Sequence, residues 1–205
     1  MAASSDIAFS PSVKAEQERR GSRAHYAALE RGGGFETGLD RFPAAFLARI
    51  DTAFLGTVNA DGQPYVQHRG GAPGFIRIAD DETLVFVDRR GNRQYVTAGN
   101  LADSPKAFLF LIDYDRRRRI KLWGRARVVE IAAAHVALLG LDPDDDTVER
   151  VIEFEVAAWD VNCPQYIPQK VDVAAVAATV AGLRARVADL EAEVARLGGT
   201  VTTRG

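Results

Sequence analysis

The sequence predicts a mainly β, α+β fold: an antiparallel barrel with flanking helices and a C-terminal heptad helix. Three observations point there. Short apolar runs recur between turn signals from Thr52 to Asp160. Helical stretches interrupt them irregularly, without the βαβ alternation of a parallel doubly wound sheet. From Val176 onward the apolar residues switch to a strict heptad spacing.

The elements follow in order. Residues 1–11 are small and polar, end at Pro11 and read as disordered. "SVKAEQERRGSRAHYAALER", Ser12 to Arg31, reads as one helix with Ser12 at its N-cap and Gly32-Gly33-Gly34 as its stop. A short helix is expected from Pro43 to Arg49, then a strand over Thr52–Val58. "NADGQP" (Asn59–Pro64) is a hairpin signal, with Asp61-Gly62 supplying left-handed backbone. The return strand is "YVQHRG". After Pro73-Gly74 come "FIRI", the turn "ADDE" and the strand Thr83–Val87. The chain then leaves the sheet for a short helix from Asn92 to Ala102. Strands follow at Lys106–Asp113 and Arg118–Glu130, a helix at 132–140, the acidic loop "DPDDDT", and a last strand at Arg150–Asp160.

In the tail, Val176, Val180, Leu183, Val187, Leu190, Val194 and Leu197 are spaced 4-3-4-3-4-3. Such a seam is narrower than the apolar face of an ordinary globular helix. It favours pairing between helices of two subunits over packing on the chain's own barrel. Gly198-Gly199 ends it. The expected domains are 1–41, an N-terminal segment and helix; 42–170, the barrel; and 171–205, the heptad helix and tail.

Bulk composition excludes several classes. A net charge of −2 over 205 residues favours neither nucleic acid nor an anionic membrane. The lone cysteine, Cys163, excludes an internal disulfide framework and multi-cysteine metal sites. The N-terminus lacks the apolar core of a signal peptide, and no apolar run approaches a bilayer span. A soluble cytoplasmic protein is expected, with no metal.

Three clusters could carry chemistry. In "YVQHRGGAPGFIRI", strand alternation points His68 and Arg69 to opposite faces. Gly70 and Gly71 would let a flat ring approach the backbone, or mark a bulge beside a solvated His-Arg pair. In "DRRGNRQY", Gly91 permits a sharp turn and Asn92 would cap a helix whose first turn carries Arg93. That is either a phosphate site or a capped helix with surface arginines. In "RRRRIKLWG", Ile120, Leu122 and Gly124 would face inward, leaving Arg119, Lys121 and Trp123 as a wall for an aromatic anion or a subunit interface. No GxSxG, HExxH or P-loop is present. A flat ring plus a phosphate describes a flavin mononucleotide.

"FLGTVNADGQPYVQHRGGAPGFIRI", "TLVFVDRRGNRQYVTAGNL", "RRRIKLWGRARVVE" and "NCPQYIPQK", in this order, resemble the pyridoxamine 5′-phosphate oxidase-like family of FMN-binding split barrels. The likeness runs from about Phe42 to Lys170. It implies a six-stranded split barrel that forms a homodimer, with FMN in clefts between subunits. The implied contacts are His68, Arg69, Gly70 and Gly71; Asn92, Arg93 and Gln94; and Arg119 and Lys121. Gln165, Tyr166 and Lys170 would close over the ring from the partner chain. The Arg-containing ending that grips pyridoxal phosphate in the vitamin B6 enzyme is missing. The resemblance therefore implies an FMN-dependent oxidoreductase of another substrate, with NAD(P)H as a possible donor and no catalytic residue assigned. Cofactor F420 in place of FMN, or a non-catalytic flavin- or haem-binding module, are the alternatives. Cys163 beside Pro164 is either a redox thiol or a small buried hydrophobe.

Overall fold

The computed structural model describes residues 2–162 and 164–198. The chain divides into two units, Met1–Asp113 with Arg118–Tyr166, and Tyr114–Arg117 with Ile167–Gly205.

The first unit is built on one antiparallel sheet. Its strands are β1 Thr52–Val58, β2 Pro64–Gly70, β3 Arg77–Ile78, β4 Thr83–Arg89, β5 Lys106–Asp113, β6 Arg118–Val129 and β7 Val148–Asn162. They lie in the order β2-β1-β5-β6-β7-β4-β3. Among the described residues the sheet thus has seven strands rather than six. Between the Pro73-Gly74 break and the "ADDE" turn, only Arg77 and Ile78 find partners, opposite Val85 and Leu84. The ladder is open, since β2 and β3 end the order and do not pair with each other. A side-chain bridge spans the curl instead: Arg69 of β2 donates to Asp88 of β4 at 2.8 Å.

Period-two alternation decides what the sheet buries. Ala53 and Leu55 of β1, Leu84 and Phe86 of β4, and Ile120 and Leu122 of β6 point inward and are fully shielded. With Leu109, Leu111, Ile152 and Phe154 they form one core. Each large side chain so buried contributes roughly 1.5–3 kcal/mol. At Trp123/Gly124 the β6–β7 register shifts by a bulge. A Cβ on Gly124 would lie 1.9 Å from the Glu155 carbonyl oxygen, so β7 packs where a side chain would stand.

The helices depart from expectation at their ends. Ser4–Ile7, expected without structure, forms a 3-10 turn whose Ser4 amide donates to the Gly33 carbonyl at 3.0 Å. The expected single helix is two, α1 Pro11–Arg19 and α2 Arg23–Arg31, because Gly21 turns left-handed at φ 78. Ser10, not Ser12, caps α1, its hydroxyl accepting from Val13 N at 3.3 Å with Pro11 in the first turn. α3 Ala44–Leu47 buries Phe46 and Leu47. α4 spans Val96–Asp103 and α5 spans Ala133–Leu139.

In the second unit, Lys170 holds Tyr114: its amide donates to the Tyr114 carbonyl at 3.4 Å, and its ammonium lies 4.1 Å from the ring centre. Arg117 Nε donates to the Ile167 carbonyl at 3.1 Å. α6 follows over Val173–Arg196, with Asp172 accepting from Ala175 N at 2.9 Å as its N-cap.

Candidate functional site

Along β4 the inward positions are Leu84, Phe86 and then Asp88, so the alternation that builds the core also buries a carboxylate. A buried charge must find opposite charge and hydrogen bonds. Asp88 finds two guanidiniums, Arg69 Nη1 at 2.8 Å and Arg150 Nη2 at 3.0 Å. Arg69 also donates to Gln67 Oε1 at 3.0 Å, which accepts from Thr97 Oγ1 at 2.6 Å. The Arg69 side chain is only 9% exposed. Its Nε and that of Arg150 are buried with no partner among the described residues. Two guanidiniums on one carboxylate leave an excess of positive charge and two unused donors.

Beyond Asp88 the chain makes a strained turn. Gly91, Arg93 and Tyr95 all take left-handed φ, at 47, 58 and 54. For the two non-glycine residues this is a costly conformation, of the kind that concentrates at ligand sites. Asn92 does not cap α4 as expected; its Oδ1 accepts from Gln94 N at 3.2 Å, within the turn. Arg93 therefore precedes the helix instead of lying in its first turn. Among the described residues no side chain caps α4, whose first amides have no acceptor within the helix. Asn100 anchors α4 to β1 by donating to Thr57 Oγ1 at 3.0 Å. Between β2 and the turn lies a hollow of about 40 Å³, lined among others by Tyr65, Arg69, Asn92, Arg93, Gln94 and Thr97.

An acidic loop holds the turn from outside. Arg89 pairs with Asp145 at 2.8 Å, and Arg90 with Asp146 at 3.7 Å and with Glu149 of β7 at 3.4 Å. The Thr147 hydroxyl, then Arg89, then the Thr147 amide hold the Asp145 carboxyl down at about 2. Tyr95 donates to Glu149 at 3.2 Å beneath the Arg150 guanidinium, which lies 5.5 Å from its ring centre.

The remaining expected residues occupy other places. The register aligns His68, Phe54, Phe110, Lys121 and Asp160 in one row across five strands, on the face opposite Arg69. His68 and Lys121 are thus three strand spacings apart, about 14 Å. Lys121 pairs with Asp160 at 3.2 Å and lies 5.1 Å from the Trp123 ring centre. Phe35 stacks on Trp123 with centroids 5.1 Å apart. Arg119 is half-buried on the same face. A Cβ on Gly71 would lie 2.6 Å from Phe75 Cβ, so the chain's own turn already makes a close approach there. A Cβ on Gly70 would meet the His68 ring at 2.9 Å. Gln165 and Tyr166 follow β7 and are exposed, Tyr166 at φ 62. Lys170 belongs to the second unit. Cys163 lies outside the described residues.

The structure therefore gathers Arg69, Asn92, Arg93 and Gln94 around one hollow, and puts His68, Arg119 and Lys121 on another face. Sequence reasoning missed Gln67, Asp88, Thr97 and Arg150. Asp88 had left a signal, an acid in phase with Leu84 and Phe86. A larger groove of about 720 Å³, between Asp80–Thr83 and Arg125–Arg127, contains none of the expected residues. Its lining has five carboxylates against two arginines, which disfavours an anionic ligand.

The pyridoxamine 5′-phosphate oxidase family model matches residues 40–163, well over half the chain. The chain belongs to this family of split barrels. The match covers β1 to β7 and all the hollow's residues. Among solved structures, HupZ of Group A Streptococcus is similar at 20% identity and a TM-score of 0.46, covering 61% of this chain and 94% of that one. HutZ, the heme storage protein of Vibrio cholerae, is 16% identical at a TM-score of 0.42, covering 60% and 94%. An F420 reductase is 24% identical at a TM-score of 0.41, covering 57% and 94%. A search of curated protein sequences returns no match. Among the described residues of this family member, no helix is long and apolar enough to cross a membrane, and no cluster of three or more His, Cys, Asp or Glu could hold a metal ion.

Proposed function

We propose that the chain binds FMN and works as an FMN-dependent oxidoreductase on a small-molecule substrate, with NAD(P)H as the candidate donor. One observation carries the reading: Arg69, buried and with an unused Nε donor, lines a hollow beside a strained turn and an uncapped helix start. Surplus cationic donors and helix amides together suit a phosphate. Asn92, Arg93, Gln94 and Thr97 are the further candidates for holding it.

The hollow suits the anionic end alone. Small-molecule pockets typically enclose about 300–1,000 Å³, and this one has about 40 Å³. The ring would lie outside it, which supports a split-barrel homodimer in which a second copy completes the cleft. His68, Gly70, Gly71, Arg119 and Lys121 are candidates for the ring's surroundings, and Gln165, Tyr166 and Lys170 for the segment supplied by the partner. When bound, the flavin supplies the hydride or electron transfer, while the protein binds it, orients it and limits access to water and oxygen.

The test is visible absorption of the purified protein with mass spectrometry of the released ligand. A flavin spectrum that bleaches under NADPH supports the proposal. A yellow protein inert to reductants and acceptors would make it a binding module, a Soret band a haem protein, and a released deazaflavin an F420 protein. Arg93→Ala should weaken FMN binding roughly tenfold to a hundredfold, the worth of a hydrogen bond to a charged group. Unchanged affinity in a titration removes Arg93 from the site.

A further inference from the structure

The C-terminal helix takes no part in the proposed flavin site. α6 is 24 residues long and buries none of them. Its seam places Val173, Val180, Val187 and Val194 at the a positions of a heptad. Val176, Leu183, Leu190 and, at the C-cap, Leu197 fall at the d positions. Apart from the half-buried Val194 these residues are open to solvent, Val187 at 52% and Leu183 at 62%.

The charges show what the seam is for. A helix resting on its own globular domain carries its charges opposite the apolar stripe. Here Arg184 and Glu191 stand at e, and Arg186 and Glu193 at g, flanking the stripe. The f positions facing directly away are alanine in three heptads, Ala178, Ala185 and Ala192. Charge beside an apolar seam faces a partner helix and sets its orientation.

We propose that α6 pairs in parallel and in register with α6 of a second copy of this chain, as a two-stranded coiled coil. Valine at a with leucine at d favours two parallel strands. Parallel alignment sets Arg186 against Glu191 of the second copy, and the reverse, giving two opposite-charge contacts by symmetry. An antiparallel pair of the same overlap would set Arg184 and Arg186 each against its own counterpart. Shifting that antiparallel pair by one heptad sets Arg184 against Glu191 and Arg186 against Glu193, but leaves Val173 and Val176 of each helix unpaired. The valine-leucine pattern and the full length of the seam therefore decide for the parallel pair.

Cross-linking in the full-length chain tests this, in a Cys163→Ser background so that only introduced thiols react. Under mild oxidation, Val187→Cys should form covalent dimers on a non-reducing gel, and Ala185→Cys on the outer face should not. R186E should lower the yield at position 187 severalfold, and R186E with E191R should restore it. The proposal is overturned by absence of a 187–187 cross-link, which would assign the seam to its own barrel or another partner. Cross-links that appear only when Val187→Cys is mixed with Leu190→Cys would mark an antiparallel pair and overturn it too, as would an R186E yield equal to that of the parent. None of these readouts involves flavin.

Discussion

Asp88 joins the core to the candidate site, because one carboxylate oxygen serves β2 and the other serves β7. Asp88→Ala should destabilise the fold by about 3–5 kcal/mol, the usual cost of leaving buried charge uncompensated. Urea unfolding measures this, and a loss below about 1 kcal/mol would mean that water reaches the two guanidiniums. Asp145 supplies a second test through pH. Its carboxyl is held at about 2, below the ordinary 3.8, by the Thr147 hydroxyl and then Arg89. A depressed folded value contributes stability that is fully present above the ordinary range and lost as pH falls toward 2. Carboxyl chemical shifts should therefore show Asp145 titrating near 2, and Arg89→Ala should move it upward. A titration near 4 in the parent chain would contradict the Thr147 and Arg89 contacts.

Among the elements, β6 carries the sharpest constraint. The expected alternation holds through Ile120, Leu122 and Gly124, but the reason for the glycine lies in β7, whose Glu155 carbonyl occupies the missing side chain's place. Gly124→Ala should cost about 1–3 kcal/mol as an overpacked site, since backbone must move to admit the methyl. A thermal midpoint equal to that of the parent chain would show that the bulge yields freely. Strand positions were legible because apolar period and turn residues are local signals. Helix boundaries were less so. Gly21 lay in view inside a helical pattern, yet whether such a glycine is tolerated or breaks the helix depends on what packs around it. The start of α4 was misplaced for a similar reason, because Asn92 satisfies its own turn before the helix begins.

For the whole molecule, the residues proposed to hold the phosphate and the heptad helix belong to different units. A chain lacking residues 173–205 should keep its FMN affinity while losing the α6-mediated assembly. Loss of flavin on that truncation, read by titration, would contradict the division. The family, the antiparallel class and the heptad seam follow from the sequence alone, because each rests on patterns among residues near one another along the chain. The separation of His68 from Arg69 onto opposite faces follows for the same reason. Folding alone brought Arg69, Asp88 and Arg150 together, residues far apart in sequence that meet because the open sheet curls. It also set Lys121 against Asp160. Such contacts depend on strand order and register, which no local pattern encodes.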